Sequence, residues 1–150
     1  MKTNKSERGQ SLVELSISLV LLLMLLAGAV EFGMAFFQFV QLRDAAQEGA
    51  LYGSINPTDC PGILARVQGS SSSPVNLTGA GVTIAVTING NACSLTGTTY
   101  NTLDCEGHAL KVDVTYQHTV FMPFFSRVVG STFPLHASVT DTILSPVACT

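Results

Sequence analysis

Apolar residues crowd the first third of the chain, and further on they alternate with polar ones. From Leu15 to Val30 there is no charge, and apolar character resumes past Glu31 with Phe32, Met34, Phe36, Phe37 and Phe39. At about 1.5 Å per residue the uncharged run covers roughly 24 Å, just short of the ~30 Å hydrocarbon core of a bilayer. A membrane span from about Leu12 to Phe32 fits, with Glu14 near one interface and Glu31 near the other. No proline interrupts the chain between Met1 and Asn56. Composition over Ser11–Tyr52 therefore predicts one helix of about 42 residues, roughly 63 Å long, whose second half must stand in water or against protein. That half carries Gln38, Gln41, Arg43, Asp44, Gln47 and Glu48. Gly53-Ser54-Ile55-Asn56-Pro57 predicts its end, with the glycine as C-cap and a proline beyond.

Small residues recur on this half at helical spacing: Ala45, Gly49 and Gly53 on one line, Ala46 and Ala50 beside it. Such a stripe lets another backbone approach closely. Two partners suit it, a neighbouring helix or the protein's own sheet, and a helix has faces enough for both.

Past the helix the pattern changes. Residues 54–81 hold prolines, glycines and the run Ser70-Ser71-Ser72-Ser73, a loop-rich connection in which Gly62–Gln68 suits a short helix. Val82, Ile84, Val86 and Ile88 then alternate with Thr83, Ala85, Thr87 and Asn89, predicting a half-buried strand that ends at the turn Asn89-Gly90. A second strand alternates Leu110, Val112, Val114 and Tyr116 with Lys111, Asp113, Thr115 and Gln117. A third, near Thr132–Thr142, puts Phe133, Leu135, Ala137 and Val139 on one face. Met122-Pro123-Phe124-Phe125 and Val128-Val129 form an apolar link between the last two. About three antiparallel strands with one apolar face need a cover, and the long helix is the sizeable element on offer. The expected fold class is α+β, a protruding N-terminal helix whose outer half packs on a small antiparallel sheet.

Composition narrows the function. The chain has 150 residues and a net charge of −3, room for one domain and an anchor. Beyond residue 52 the cations are Arg66, Lys111 and Arg127, no basic patch for nucleic acid. Lys2, Lys5 and Arg8 precede the apolar run, so the N-terminus is expected in the cytoplasm and the C-terminal part outside. All four cysteines, Cys60, Cys93, Cys105 and Cys149, follow the span and read as disulfides in an oxidising compartment. Sequence does not choose among their three pairings; the favoured one is Cys93 with Cys105 as a loop staple and Cys60 with Cys149 tying down the tail. No metal site or cofactor is expected, because no tight C-x-x-C spacing is present. His118 and His136 would form a candidate metal pair if they faced each other across the last two strands. No phosphate loop, nucleophile elbow or HExxH helix appears, and no enzyme is expected.

A secretory signal peptide is the rival reading of the N-terminus, with Ala27-Gly28-Ala29 as a small-x-small cleavage site. The length of the apolar run and the unbroken helical sequence after it speak for an anchor.

The run Arg8-Gly9-Gln10-Ser11-Leu12-Val13-Glu14 before apolar sequence resembles type IV prepilin signals. Val30-Glu31-Phe32-Gly33-Met34-Ala35-Phe36 and Ala45-Ala46-Gln47-Glu48-Gly49-Ala50 resemble TadE-like pilus-assembly proteins of tight-adherence secretion systems. The resemblance is strong over residues 8–53 and looser over 82–144. It implies a pilin-like fold and a non-catalytic minor-pilin or pseudopilin role. It also implies cleavage between Gly9 and Gln10 by a prepilin peptidase, and partnership with other pilin subunits and an inner-membrane assembly platform. The domain plan is then a cytoplasmic leader over residues 1–9, a helix over 10–53 that crosses the membrane in its first half, and an extracytoplasmic β domain over 54–150. Leu15 departs from the aromatic that often follows the glutamate. Cleavage would create an amine at Gln10, one helical turn from Glu14, able to neutralise that carboxylate within the chain or on a neighbouring helix. Glu31 suits either pairing with a partner helix or solvation at the outer interface. A membrane-anchored binding or adhesion module that never enters a filament is the alternative function.

Overall fold

The computed structural model describes residues 7–93, 106–122, 126–127 and 129–144. Its first element is one helix, α1, over Glu7–Ile55. Unbroken apolar and helix-favouring sequence carries it through both the apolar run and the polar half. It stops ahead of Pro57, because a residue before proline is pushed out of the helical region. Gly53 is not the cap that sequence suggests. It lies inside the helix, where an added Cβ would come within 2.7 Å of Leu110 Cδ1 and 2.9 Å of Ile63 Cδ1. The glycine is there for close packing.

A second helix, α2, spans Cys60–Gly69. Asp59 caps it: its Oδ1 accepts from the Gly62 N–H at 2.9 Å, and its Oδ2 accepts from the Tyr52 hydroxyl at 2.8 Å. Pro61 stands in the first turn, where a missing N–H costs nothing. The short helix within the loop-rich connection is thus both capped locally and tied to α1.

The sheet has four antiparallel strands in the order β2-β1-β3-β4, with β1 at Val82–Ile88, β2 at Asn91–Ala92, β3 at Ala109–Thr119 and β4 at Thr132–Thr142. The three expected strands are all present. The fourth, β2, is a two-residue return after Asn89-Gly90, both of which have positive φ (48° and 81°). Positive φ at both central residues makes a tight hairpin whose twist matches the strands it joins. Alternation alone does not reveal a strand of two residues.

The sheet's inner face and the second half of α1 close over a core of Leu42, Ala45, Ala46, Ala50, Ile63, Val67, Leu110, Val112, Val114 and Ala137. β3 runs antiparallel to α1. Leu110 lies against Gly53 at one end, while His118 meets Glu31 at the other. β4 returns, and the Leu144 N–H donates to the Ser54 carbonyl at 2.8 Å. The β3–β4 connection therefore sits at the end of the sheet nearest the apolar run of α1.

The first half of α1 has no such cover. From Gly9 to Leu26 every residue is exposed within the chain. An 18-residue window of this helix reaches a mean hydropathy of 2.4 with none of it buried.

Candidate functional site

Buried positions on α1 recur at Glu31, Ala35, Leu42, Ala45, Gly49 and Gly53, with Gln38 half-buried between them. This spacing of three and four residues is the stripe a helix presents to a partner. Here the partner is the chain's own outer domain. A Cβ at Gly49 would collide with Val67 Cγ2 on α2, so Ala45, Gly49 and Gly53 seat α2 and the sheet. Of the two partners that sequence leaves open for the small-residue stripe, the structure brings up the intramolecular one.

Glu31 is the first member of that stripe, and it is neither solvated nor turned to another helix. Its side chain is buried under the end of β3. Glu31 Oε1 accepts from the Phe121 N–H at 3.1 Å and lies 3.1 Å from His118 Nε2. His118 is 1% exposed, with Nδ1 2.5 Å from Gln38 Oε1. Both ring nitrogens are thus engaged by side chains of α1, which fixes the plane of the imidazole. The Phe133 ring leans on it with centroids 4.8 Å apart. Glu31 Oε2 is buried without a partner among the described residues. The arrangement clamps helix to sheet at the edge of the apolar run. It is a hydrogen-bonded polar pair in a dry place, where a partner is needed to offset the cost of burial and the contact fixes geometry.

His118 and His136 do not face each other. β3 and β4 pair as expected, but in a register that sets His118 opposite Phe133 and His136 opposite Thr115. The two histidines fall on opposite faces of the sheet. His136 belongs to an outer-face cluster, with Nε2 3.3 Å from Asp113 Oδ1, while Lys111 Nζ lies 3.0 Å from Asp113 Oδ2. Partial burial pushes the Asp113 carboxyl up. Hydrogen bonds from Lys111 and Ser138 and the charges of Lys111 and His136 outweigh it and hold the carboxyl below its ordinary value. Among the described residues no group of three or more His, Cys, Asp or Glu side chains is placed to hold a metal ion.

The favoured disulfide pairing is corrected. Cys60, at the start of α2, is bonded to Cys93, just past β2, with Cα atoms 5.9 Å apart. The cap at Asp59 and the Asn89-Gly90 hairpin bring the two together, so the bond staples α2 to the sheet edge. Cys105 and Cys149 lie outside the described residues.

Gly9, Gln10 and Glu14 all lie on the exposed first half of α1. The Gln10 side-chain amide donates to Glu14 Oε1 at 3.2 Å, one turn along the helix. Glu14 is thus open to other molecules, whereas Glu31 is closed off. Ala27, Gly28 and Ala29 lie in the same unbroken helix.

A single exposed apolar helix running into a helical stripe packed on a small sheet is the geometry against which known proteins can be compared. Residues 9–51 match the TadE-like protein family. The match covers the exposed half of α1 from Gly9 and most of the packed half, including Glu31, Ala45 and Gly49 but not Gly53. Over those residues the chain is similar to a family of pilus-associated proteins, and among the described residues α1 is the one helix long and apolar enough to cross a membrane. No curated protein and no solved structure matches the chain.

Proposed function

We propose that this TadE-like protein is a minor-pilin or pseudopilin subunit of a tight-adherence or type IV-like pilus system. A prepilin peptidase cuts it between Gly9 and Gln10, and its helix then assembles with other subunits on an inner-membrane platform. The carrying observation is the contrast between the two halves of α1. The outer half buries one face, the Glu31-to-Gly53 stripe, inside the chain, while from Gly9 to Leu26 the helix is exposed on every side and largely apolar. Such a surface fits lipid before assembly and other apolar helices after it. The basic residues Lys2, Lys5 and Arg8 stay on the cytoplasmic side, and the outer domain with its disulfide faces the oxidising side.

Glu14 supplies the chemistry. A carboxylate within an apolar span costs about 2.5–3.5 kcal/mol at the helix centre and less near an interface. A free amine at Gln10, on this chain or a neighbour's, offsets that cost. The test is the intact mass of the protein recovered from cells that hold the peptidase. Loss of residues 1–9 supports the proposal, while loss of residues 1–29 points to ordinary signal cleavage. A full-length product would leave a plain anchor. Glu14→Ala is expected to be cut normally and to fail in assembly.

A further inference from the structure

The β3–β4 connection stands beside the helix at the level where the apolar run ends. Glu14 is exposed at one end of the run, so a span of about 30 Å counted from Leu15 reaches about Met34 and takes in Glu31. A glutamate at that depth is tolerated because His118 and the Phe121 N–H, both from the sheet, meet it there. The sheet's end must then come down to the same depth. Its surface suits that position. The Phe121 ring is 73% exposed although its N–H is held by a buried carboxylate, and Val129 is 58% exposed in the same connection. Met34, Phe37, Tyr116 and Phe121, with the polar Gln38 and Thr119 among them, line a mostly apolar groove of about 360 Å³ between helix and sheet. Phe32 and Phe36, stacked with centroids 6.4 Å apart, continue the aromatic surface around the helix. From Val114 to Thr140 the sequence has one fixed charge, Arg127, a cation exposed in this connection.

We infer that the outer domain is seated in the bilayer as well as tethered to it: the chain just past β3 at Phe121, with Arg127 and Val129 beyond it, enters the outer lipid interface beside α1. The occupant of the apolar groove is lipid. The argument is continuity, since the groove and Phe121 prolong the apolar surface of the helix at the depth that Glu31 fixes. Aromatic rings are favoured at that level, and Arg127 there meets headgroup phosphates. The inference rests on α1 crossing the membrane and adds a second, separate point of entry.

The chain contains no tryptophan, so single substitutions report depth without background. Full-length Phe121→Trp, Leu23→Trp and Leu51→Trp proteins are reconstituted in phosphatidylcholine–phosphatidylglycerol vesicles whose acyl chains carry bromine near the headgroup or near the tail. Leu51 is an exposed position on α1 about 30 Å beyond Glu31 along the helix axis, and it serves as the water-exposed reference. Phe121→Trp is expected to emit at shorter wavelength than Leu51→Trp and to lose intensity mainly with the headgroup-side bromine. Leu23→Trp is expected to lose intensity mainly with the tail-side bromine. If Leu23→Trp is quenched while Phe121→Trp behaves like Leu51→Trp, the seating is wrong and the anchor stands. If neither is quenched, α1 does not insert, and both readings fall. If Phe121→Trp is shielded only at protein densities where copies cross-link through this face, the occupant is a second copy and the lipid assignment is overturned.

Discussion

Glu31→Ala measures what the buried clamp contributes. In the native protein Glu31 Oε1 accepts from the Phe121 N–H and pairs with His118 Nε2, each at 3.1 Å. Truncation leaves two buried donors without acceptors, at about 1–3 kcal/mol each. Against that, Glu31 Oε2 has no partner to lose, and its burial is already a cost that truncation relieves. The expected net loss for the outer domain is about 2–4 kcal/mol, the cost of two orphaned buried donors less that relief. His118→Leu fills the same space against Phe133 but leaves the carboxylate unpaired, and a loss of similar size is expected. The two together, Glu31→Ala with His118→Leu, remove both partners of the contact and should lose about 1–3 kcal/mol less than the sum of the singles. Native-state hydrogen exchange of the full-length protein in lipid nanodiscs reads this directly, through the β3 amides and those of Val120 and Phe121. The reasoning is refuted if each single change costs under about 0.5 kcal/mol, the level of an indifferent surface substitution, and the double change is additive.

Other consequences are sharper in sign than in size. Gly49→Ala gains up to about 1 kcal/mol of helix propensity yet drives a methyl into Val67 of α2, so it should destabilise by about 1–3 kcal/mol in a denaturant titration. Gly33→Ala, with open space around it, should be tolerated. Replacing Cys60 and Cys93 together by serine opens a loop of sequence separation 33 and should cost about 2–4 kcal/mol, seen as earlier proteolysis between α2 and β1. Asp59→Ala removes both the α2 cap and the acceptor of the Tyr52 hydroxyl, and should cost about 1–2 kcal/mol by thermal unfolding. The Asp113 carboxyl titrates below its ordinary 3.8 when folded, so its stabilisation is full above the unfolded value and is lost as pH falls through the folded one. The stability gap between the native protein and Asp113→Asn should therefore stay level near neutral pH and close during acid titration below about pH 4.

The fold was largely legible because its periodicities are strong. Proline-free apolar sequence marks α1, and strict alternation marks β1, β3 and β4 at close to their observed limits. What escaped depends on contacts between distant residues. Gly53 reads as a cap by position, yet its neighbours Leu110 and Ile63 decide its role. The disulfide pairing was misjudged because Cys60 and Cys93 meet only once α2 is capped and the Asn89-Gly90 turn folds β2 back. A signal for Glu31 was present and passed over: it stands four residues before Ala35, seven before Gln38 and eleven before Leu42, the leading position of the buried stripe. Hydropathy assigns a charge to the end of a span, whereas the helical period assigns this one to the packed face. Its partner was beyond reach, since His118 lies 87 residues away and shares no local pattern with it.

The two carboxylates of α1 divide the helix's work between them. Glu14 lies on a face that none of the described residues covers, so on the proposed function what balances it would be the processed N-terminus, water or another subunit. Glu31 is held by the chain's own sheet, and a neighbour's cation could reach it only by displacing His118 from a site 1% exposed. Assembly that recruited both acids would have to open the outer domain, whereas assembly through Glu14 alone leaves that domain intact. On the proposed assembly, the stretch before Glu31 offers every face to other helices, since each residue from Gly9 to Leu26 is exposed, whereas beyond it one face is taken by the outer domain. Beyond it the stripe of Ala45, Gly49 and Gly53 is already filled by α2 and the sheet. Under the proposed function, a subunit built this way would add to a bundle by its inner rod while carrying its outer domain as a fixed body, because the Glu31–His118 clamp stands at the junction of the two.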